Sequence, residues 1–224
     1  MLVIGLTGSI GMGKSTAVAM LRRMGLPVHD ADAAVHDLIG SGGGAVEEIA
    51  KAFRGVVRKG VVDRKRLGDK VFKDPAARAR LEAILHPRVR RAAQDFIKRQ
   101  VRRRRGLVVL DIPLLFETGG ERLCDAVIVV SAPPAIQRQR VLSRPGMTRE
   151  KFAGILSAQV SDREKRQRAD FVVETGLSKG QTLRQLTAVV RMLRSGRWAS
   201  HHRLRRRSRR RLGCRPSGAC PRHG

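Results

Sequence analysis

Residues 2–18 read Leu2-Val-Ile-Gly-Leu-Thr-Gly8-Ser-Ile-Gly11-Met12-Gly13-Lys14-Ser15-Thr16-Ala17-Val18. Leu2–Thr7 is a short apolar run ending at a glycine, the pattern of a buried strand entering a tight loop. From Ser15 the periodicity turns helical, with Ala17, Val18, Leu21 and Met24 sharing a face before Gly25 and Pro27. Between the two, Gly8 to Ser15 matches G-x-x-x-x-G-K-[ST], and the strand before and helix after it are the context that motif needs. Glycines let the backbone wrap closely around a phosphate, and the loop amides point at the anion from the helix N-terminus. The spacing therefore predicts that Gly11, Met12, Gly13, Lys14, Ser15 and Thr16 cradle a nucleoside triphosphate. Lys14 is placed to bridge the β- and γ-phosphates, and the Ser15 hydroxyl to ligate Mg²⁺.

Working outward, Leu107–Leu110, Ala126–Val130 and Phe171–Val173 are near-continuous apolar runs rich in valine. Strands without polar alternation are buried on both faces, which predicts a parallel sheet covered by helices on each side, an α/β fold. Residues 30–105 are mostly helical in pattern, with one helix expected over Ala76–Leu85 and a separate one from Pro87. Further helices are expected over 148–169 and from Ser178, a candidate N-cap, to Leu193.

The 224 residues carry 47 Lys plus Arg against 19 Asp plus Glu, a formal charge of +28. Ten arginines and no Lys, Asp or Glu lie in 197–224, so +18 of that charge belongs to 1–196. Such a balance points to anionic partners: nucleic acid, phosphorylated metabolites or an anionic membrane surface. The block RLRRRSRRRL repels itself and buries nothing, so 197–224 is expected to be a disordered tail. Four readings of it stay open: an electrostatic appendage, a nucleic-acid arm, an anionic-membrane contact, or an altered 3′ reading frame. No apolar run approaches the roughly 20 residues of a membrane span, and MLVIGLTGS lacks a signal peptide's basic start and cleavage site. Neither membrane insertion nor specific nucleic-acid binding is expected, and nothing in the sequence specifies an oligomeric state. Three cysteines without framework or C-x-x-C spacing suit a reducing, cytoplasmic setting.

The chain contains no Asn, and so no N-K-x-D guanine-reading motif. A small-molecule kinase needs instead a carboxylate near the acceptor hydroxyl and arginines around the transferring phosphoryl. Pro27-Val28 reads as the second strand of the sheet, so His29-Asp30-Ala31-Asp32 falls at its carboxyl edge, where ligands bind in open α/β folds. Asp30 and Asp32 are both candidates for that carboxylate, with helix N-capping ahead of Ala33-Ala34-Val35 as the alternative for Asp32. Asp111, ending the Leu107–Leu110 run, is either a carboxylate supporting Mg²⁺ through water or a plain strand-end residue.

These motifs in order, the phosphate loop, Asp30-Ala-Asp32-x-x-x-His36, His86-Pro-Arg-Val-Arg90, Asp111-Ile-Pro113-Leu114-Leu115-Phe-Glu117, Arg140-x-x-x-Arg144, Thr148-Arg-Glu, Gln159 and Ala169-Asp170, resemble those of the dephospho-CoA kinases over about residues 2–194. The resemblance implies a three-layer P-loop kinase domain over 1–196, with a helical acceptor-binding insertion (30–105) and a helical lid (144–169). It implies ATP-dependent phosphorylation of the ribose 3′-hydroxyl of dephospho-CoA, the last step of coenzyme A synthesis. By the same resemblance Asp32, Lys14 and Arg140 are catalytic, and Arg140 and Arg144 contact ATP, with Arg163 and Arg166 as secondary candidates. Asp32, His86, Arg90, Asp111, Pro113, Leu114 and Leu115 serve the acceptor. His86 is as open to a capping role as to a binding one, Leu115 to a core role, and Arg144 to a solvated basic face. Where the family commonly has an Asn after the last strand, this chain has Thr175, which puts the adenine contact in question. Two other classes compete: a different P-loop nucleoside or nucleotide kinase, and a nucleic-acid-binding P-loop ATPase using the tail.

Overall fold

The computed structural model describes residues 1–72 and 74–196; the expected disordered tail, 197–224, lies outside them. The chain divides into two compact units, Met1–Leu186 and Thr187–Gly224. The first unit holds the sheet and the three cavities discussed below.

The elements run β1 (Leu2–Thr7), α1 (Lys14–Arg23), β2 (Val28–Asp30), α2 (Ala31–Ile39), α3 (Val46–Ala52), β3 (Val57–Arg58), β4 (Val61–Val62), α4 (Arg64–Phe72) and α5 (Pro75–Arg102). There follow β5 (Leu107–Asp111), β6 (Ala126–Ser131), α6 (Pro134–Leu142), α7 (Arg149–Ser157), α8 (Asp162–Arg168), β7 (Phe171–Glu174) and α9 (Lys179–Arg194). The main sheet has the order β2-β5-β1-β6-β7, and every neighbouring pair is parallel. Among the described residues no helix is long and apolar enough to cross a membrane.

The valine-rich runs form the strands expected of them. On one face Val3, Val108, Leu110, Val127 and Val129 pack with Ala93 and Phe96 of α5. Residues of opposite parity, Ile4, Leu6, Val109, Ile128 and Val130, are fully buried on the other. Two dry faces need two helical layers. From β1 the chain steps to one side for β2 and to the other for β6, and that reversal opens a crevice at the carboxyl edge. Register levels the strand ends there: Leu6 and Asp30 both pair with Asp111.

The insertion has its own core, Ile39, Ile49, Phe53, Val56, Val62, Leu67 and Ile84 among its members. Here the structure corrects the sequence reading. Instead of separate helices at 76–85 and from Pro87, one 28-residue helix, α5, runs straight through Pro87. A mid-helix proline removes a hydrogen bond and crowds the preceding turn. Arg88 braces this turn with its side chain: its Nη1 donates to Ile84 O at 2.8 Å and its Nε to Gly44 O at 3.1 Å. The same guanidinium pairs with Glu48, so α3 braces α5 at this point. The sequence reading also overlooked the β3–β4 hairpin, whose strands are two residues each. Its turn, Lys59 (φ 50°) and Gly60 (φ 75°), puts both central residues in the left-handed region, as a type I′ hairpin requires.

Two further differences lie near the ligand edge. The i, i+4 spacing of Arg140 and Arg144 reads from sequence as one helical face, but α6 ends at Leu142, so Arg144 stands beyond it and does not share that face. The stretch 148–169 is two helices, not one, and Ser161 caps the second by accepting from Glu164 N.

Candidate active site

The phosphate loop is set by close contacts that only glycine allows. Gly11 (φ 78°) and Gly13 (φ 82°) take left-handed backbone. A Cβ on Gly8 would lie 2.5 Å from Val130 Cγ2 and 2.7 Å from Val130 O. Thr175 lies beneath the loop, its hydroxyl donating to Met12 O at 2.8 Å. Arg140 reaches over it, donating from Nη2 to Thr175 O (2.6 Å) and from Nη1 to Thr175 Oγ1 (3.2 Å). The position where the family commonly carries Asn is thus buried and occupied with bracing the loop and Arg140. Its other fixed points are Met12 Sδ, which accepts from Ala132 N, and Ile10, held at both backbone groups by Gln137 and Gln159.

At the strand ends Lys14 Nζ lies 2.7 Å from Asp111 Oδ1. Asp111 is 4% exposed. Burial pushes its carboxyl above the ordinary aspartate range, Lys14 pulls the other way, and Asp30 and Asp32 add to the upward push. The helix-cap alternative for Asp32 is settled by its neighbour: Asp30 Oδ1 accepts from Ala33 N at 3.0 Å and caps α2. Asp32 sits in the first turn, exposed and without a hydrogen bond among the described residues.

Two cavities meet at this edge. The larger, about 740 Å³, is lined by the loop from Gly8 to Thr16 and by Arg140, Arg144, Gln159, Thr175 and Ser178. It brings together Gly11, Met12, Gly13, Lys14, Ser15, Thr16, Arg140 and Arg144, as the sequence led us to expect. The smaller, about 320 Å³ and mostly apolar, lies against the insertion and is lined by His29, Val35, His86, Val89, Arg90, Ala93 and Leu114. His86, Val89, Arg90 and Ala93 share one face of α5 at helical spacing. Asp32 and Pro113 line both cavities, and they are the only described residues that do.

Four candidates fall elsewhere. Leu115 lines neither cavity: it is fully buried in the core that includes Val3, Leu110 and Phe116. The turn after β5 sends Leu114 outward and Leu115 inward, so Leu115 is corrected from an acceptor contact to a packing residue. Arg163 and Arg166 line a separate cavity with Ser131, Pro134 and Glu174. Arg166 is also paired there with Glu174 at 2.6 Å, leaving neither arginine at the nucleotide cavity. Asp111 lies beneath Lys14 and lines neither cavity.

Sequence reasoning missed His29, Gln137 and the roles of Thr175 and Gln159. His29 stacks near Phe96 at 5.3 Å with its Nε2 buried and unpartnered. A lone His or Gln carries no spacing signal, and these contacts span up to 163 residues of sequence.

A family model described as dephospho-CoA kinase matches residues 2–179. The chain belongs to the dephospho-CoA kinase family. It is 60% identical over 200 residues to a dephospho-CoA kinase of Paramagnetospirillum magneticum, covering 89% of this chain and 94% of that one. It is 55% identical over 201 residues to one of Rhodospirillum rubrum, covering 88% and 95%. Among solved structures, a protein of Thermus thermophilus matches with a TM-score of 0.75 at 39% identity, over 86% of this chain and 97% of that one. A dephospho-CoA kinase from Campylobacter jejuni matches with a TM-score of 0.67 at 25% identity, over 87% and 98%. As a dephospho-CoA kinase, the protein is an ATP-dependent phosphotransferase acting on dephospho-CoA in coenzyme A synthesis. The two competing classes, another nucleotide kinase and a nucleic-acid-stimulated ATPase, are not favoured.

Proposed function

We propose that ATP occupies the larger cavity, that dephospho-CoA occupies the smaller, and that the γ-phosphoryl group crosses between them beside Asp32. The observation that carries this reading is that Asp32 and Pro113 line both cavities. Asp32 takes the proton of the ribose 3′-hydroxyl, the freed oxygen attacks the γ-phosphorus, and ADP leaves on the P-loop side. Phosphoryl transfer of this kind depends on alignment and charge neutralisation. The loop amides and Lys14 supply the fixed charge, with Arg140 and Arg144 from the far wall. His86 and Arg90 bind the acceptor, where an arginine offers paired donors to a phosphate, and Leu114 adds an apolar contact.

The Ser15 hydroxyl and the Asp111 carboxylate are the donors we assign to Mg²⁺, Asp111 through water. One hydroxyl, one carboxylate and the substrate's phosphates suit a small cation that keeps several waters. When bound, the ion neutralises phosphate charge. In this reading 30–105 is the acceptor-binding insertion, 144–169 the lid of a domain spanning 1–196, and the enzyme works in the cytoplasm, where its cysteines stay reduced.

The test is Asp32→Asn, an isosteric change that leaves the Asp30 cap in place. Coenzyme A formation is expected to fall by about 10³-fold or more, since general-base catalysis contributes roughly 10²–10⁴, while ATP binding changes little. A variant that keeps wild-type turnover would overturn the assignment.

A further inference from the structure

The short joint between α7 and α8 touches both halves of the site. Gln159 Oε1 accepts from Ile10 N at 3.2 Å, and Gln137 Nε2 donates to Ile10 O at 2.7 Å. Both backbone groups of a P-loop residue are thus held by side chains from outside the loop. The next residue, Val160, donates its N–H to Glu117 Oε1 at 2.9 Å. Glu117 belongs to the turn that carries Pro113 and Leu114 into the acceptor cavity.

Glu117 is itself firmly placed. Lys165 Nζ, on a fully buried side chain, lies 2.9 Å from the same Oε1, an ion contact not aligned as a hydrogen bond. Burying an ammonium is costly unless a partner is held beside it, so α8 and the acceptor turn are pinned together. Arg168 adds a second tie, with Glu121 at 3.0 Å and the Phe116 ring at 4.3 Å. Ser131 Oγ donates to Asp162 Oδ2 at 2.7 Å and fixes the start of α8 to β6. Across the joint, α7 presents Ile155 to the nucleotide cavity. No part of this chain of contacts is a substrate contact assigned above.

We infer that Gln159 is a positioning residue for the phosphate loop and that Glu117 sets its place, so the two cavities are coupled through residues 159–160. This rests on the proposed occupancy of the cavities. Dephospho-CoA seated against Pro113 and Leu114 fixes the turn that ends in Glu117. Glu117 holds the Val160 amide, and one residue away Gln159 holds Ile10. The acceptor therefore stabilises the loop shape that ATP binds, and by linkage ATP tightens the acceptor equally.

The experiment measures dephospho-CoA affinity with and without a non-hydrolysable ATP analogue, using the full chain. For the wild type the analogue is expected to tighten binding about five-fold or more, the lower end of ordinary allosteric coupling. Gln159→Met removes one hydrogen bond from a half-buried side chain and is expected to bring that ratio to about one. The double variant Glu117→Gln/Lys165→Met removes the buried charges but keeps an oxygen for Val160 N, and is expected to retain the ratio. A ratio near one in the wild type, or a ratio undiminished in Gln159→Met, overturns the inference. A purely structural role would lower the melting temperature of Gln159→Met without touching the ratio, and that too counts against it. If the double variant fails to fold, Gln159→Met decides alone. A wild type that makes no coenzyme A would refute the proposed function instead, and is seen separately as absent product.

Discussion

Leu114 and Leu115 are adjacent and chemically identical, yet they are assigned opposite work, and truncating each to alanine tests the placement. Leu115 has no exposed surface. Its methyls press on bare backbone: Cβ atoms added at Gly5 and Gly120 would come within 3.0 and 3.1 Å of them. Removing three carbons costs about 2.4 kcal/mol in transfer at ~0.8 per methylene. Backbone walls cannot collapse into the space, so a void of roughly 70 Å³ at ~24 cal/mol per Å³ adds about 1.7 kcal/mol. A loss near 4 kcal/mol lowers the melting temperature of a chain this size by about 8–16 °C. Thermal melting followed by circular dichroism reads that directly, and steady-state kinetics well below the transition should show a dephospho-CoA KM within about two-fold of wild type. Leu114, 41% exposed on the acceptor cavity, should behave the other way. Leu114→Ala is expected to shift melting by only about 1–3 °C and to raise the dephospho-CoA KM several-fold. If Leu115→Ala melts like the wild type but loses acceptor affinity, the inward placement of that side chain is wrong.

Thr175→Val keeps the shape of a buried residue but removes the hydroxyl that holds Met12 O and receives Arg140. Leaving those groups short of a partner costs about 1–2 kcal/mol, so melting should fall by about 2–8 °C and, with the loop unbraced, the ATP KM should rise by up to about ten-fold; an unchanged KM would refute the bracing role. His29 supplies a pH test. Burial holds its imidazole below the ordinary 6.5, with Asp30 pulling it up and Arg99 pushing it down. The unfolded chain therefore binds more protons below pH 6.5, and His29 costs no stability above that value but progressively more as pH falls through it toward the folded pKa. Measured against His29→Leu, wild-type stability should drop relative to the variant between about pH 7.5 and pH 5.5, and a difference independent of pH would contradict the burial argument.

What the sequence made legible was whatever lay contiguous along it. The phosphate loop is one stretch in which strand, glycines, lysine and helix follow in order, and its geometry could be anticipated residue by residue. The valine-rich runs announced a sheet buried on both faces for the same reason: each strand carries its own pattern. The single helix through Pro87 was not legible, because its support comes from Arg88 reaching Gly44 and Glu48, 44 and 40 residues away. Nor could the adjacent leucines be told apart, since the turn after β5 has neither the two-residue nor the 3.6-residue period that sorts inward from outward.

The pair Asp30 and Asp32 shows how structure resolves what spacing left open. Both are carboxylates at the end of the same strand, and either could have capped the helix that follows. The cap needs a residue with extended backbone immediately before the first turn, and Asp30, at φ −103° and ψ 113°, has it. Once its oxygen accepts from Ala33 N, Asp30 is committed to the backbone and cannot also approach a substrate hydroxyl with that atom. Asp32 lies two residues into the cavity edge, and its carboxylate accepts no bond from the described residues. The same helix start that consumes one aspartate thus presents the other, which is why Asp32→Asn and Asp30→Ala should separate. The first removes turnover and leaves the fold intact; the second removes the oxygen that accepts from Ala33 N, weakens α2 by about 1 kcal/mol and affects turnover only through the displacement of Asp32.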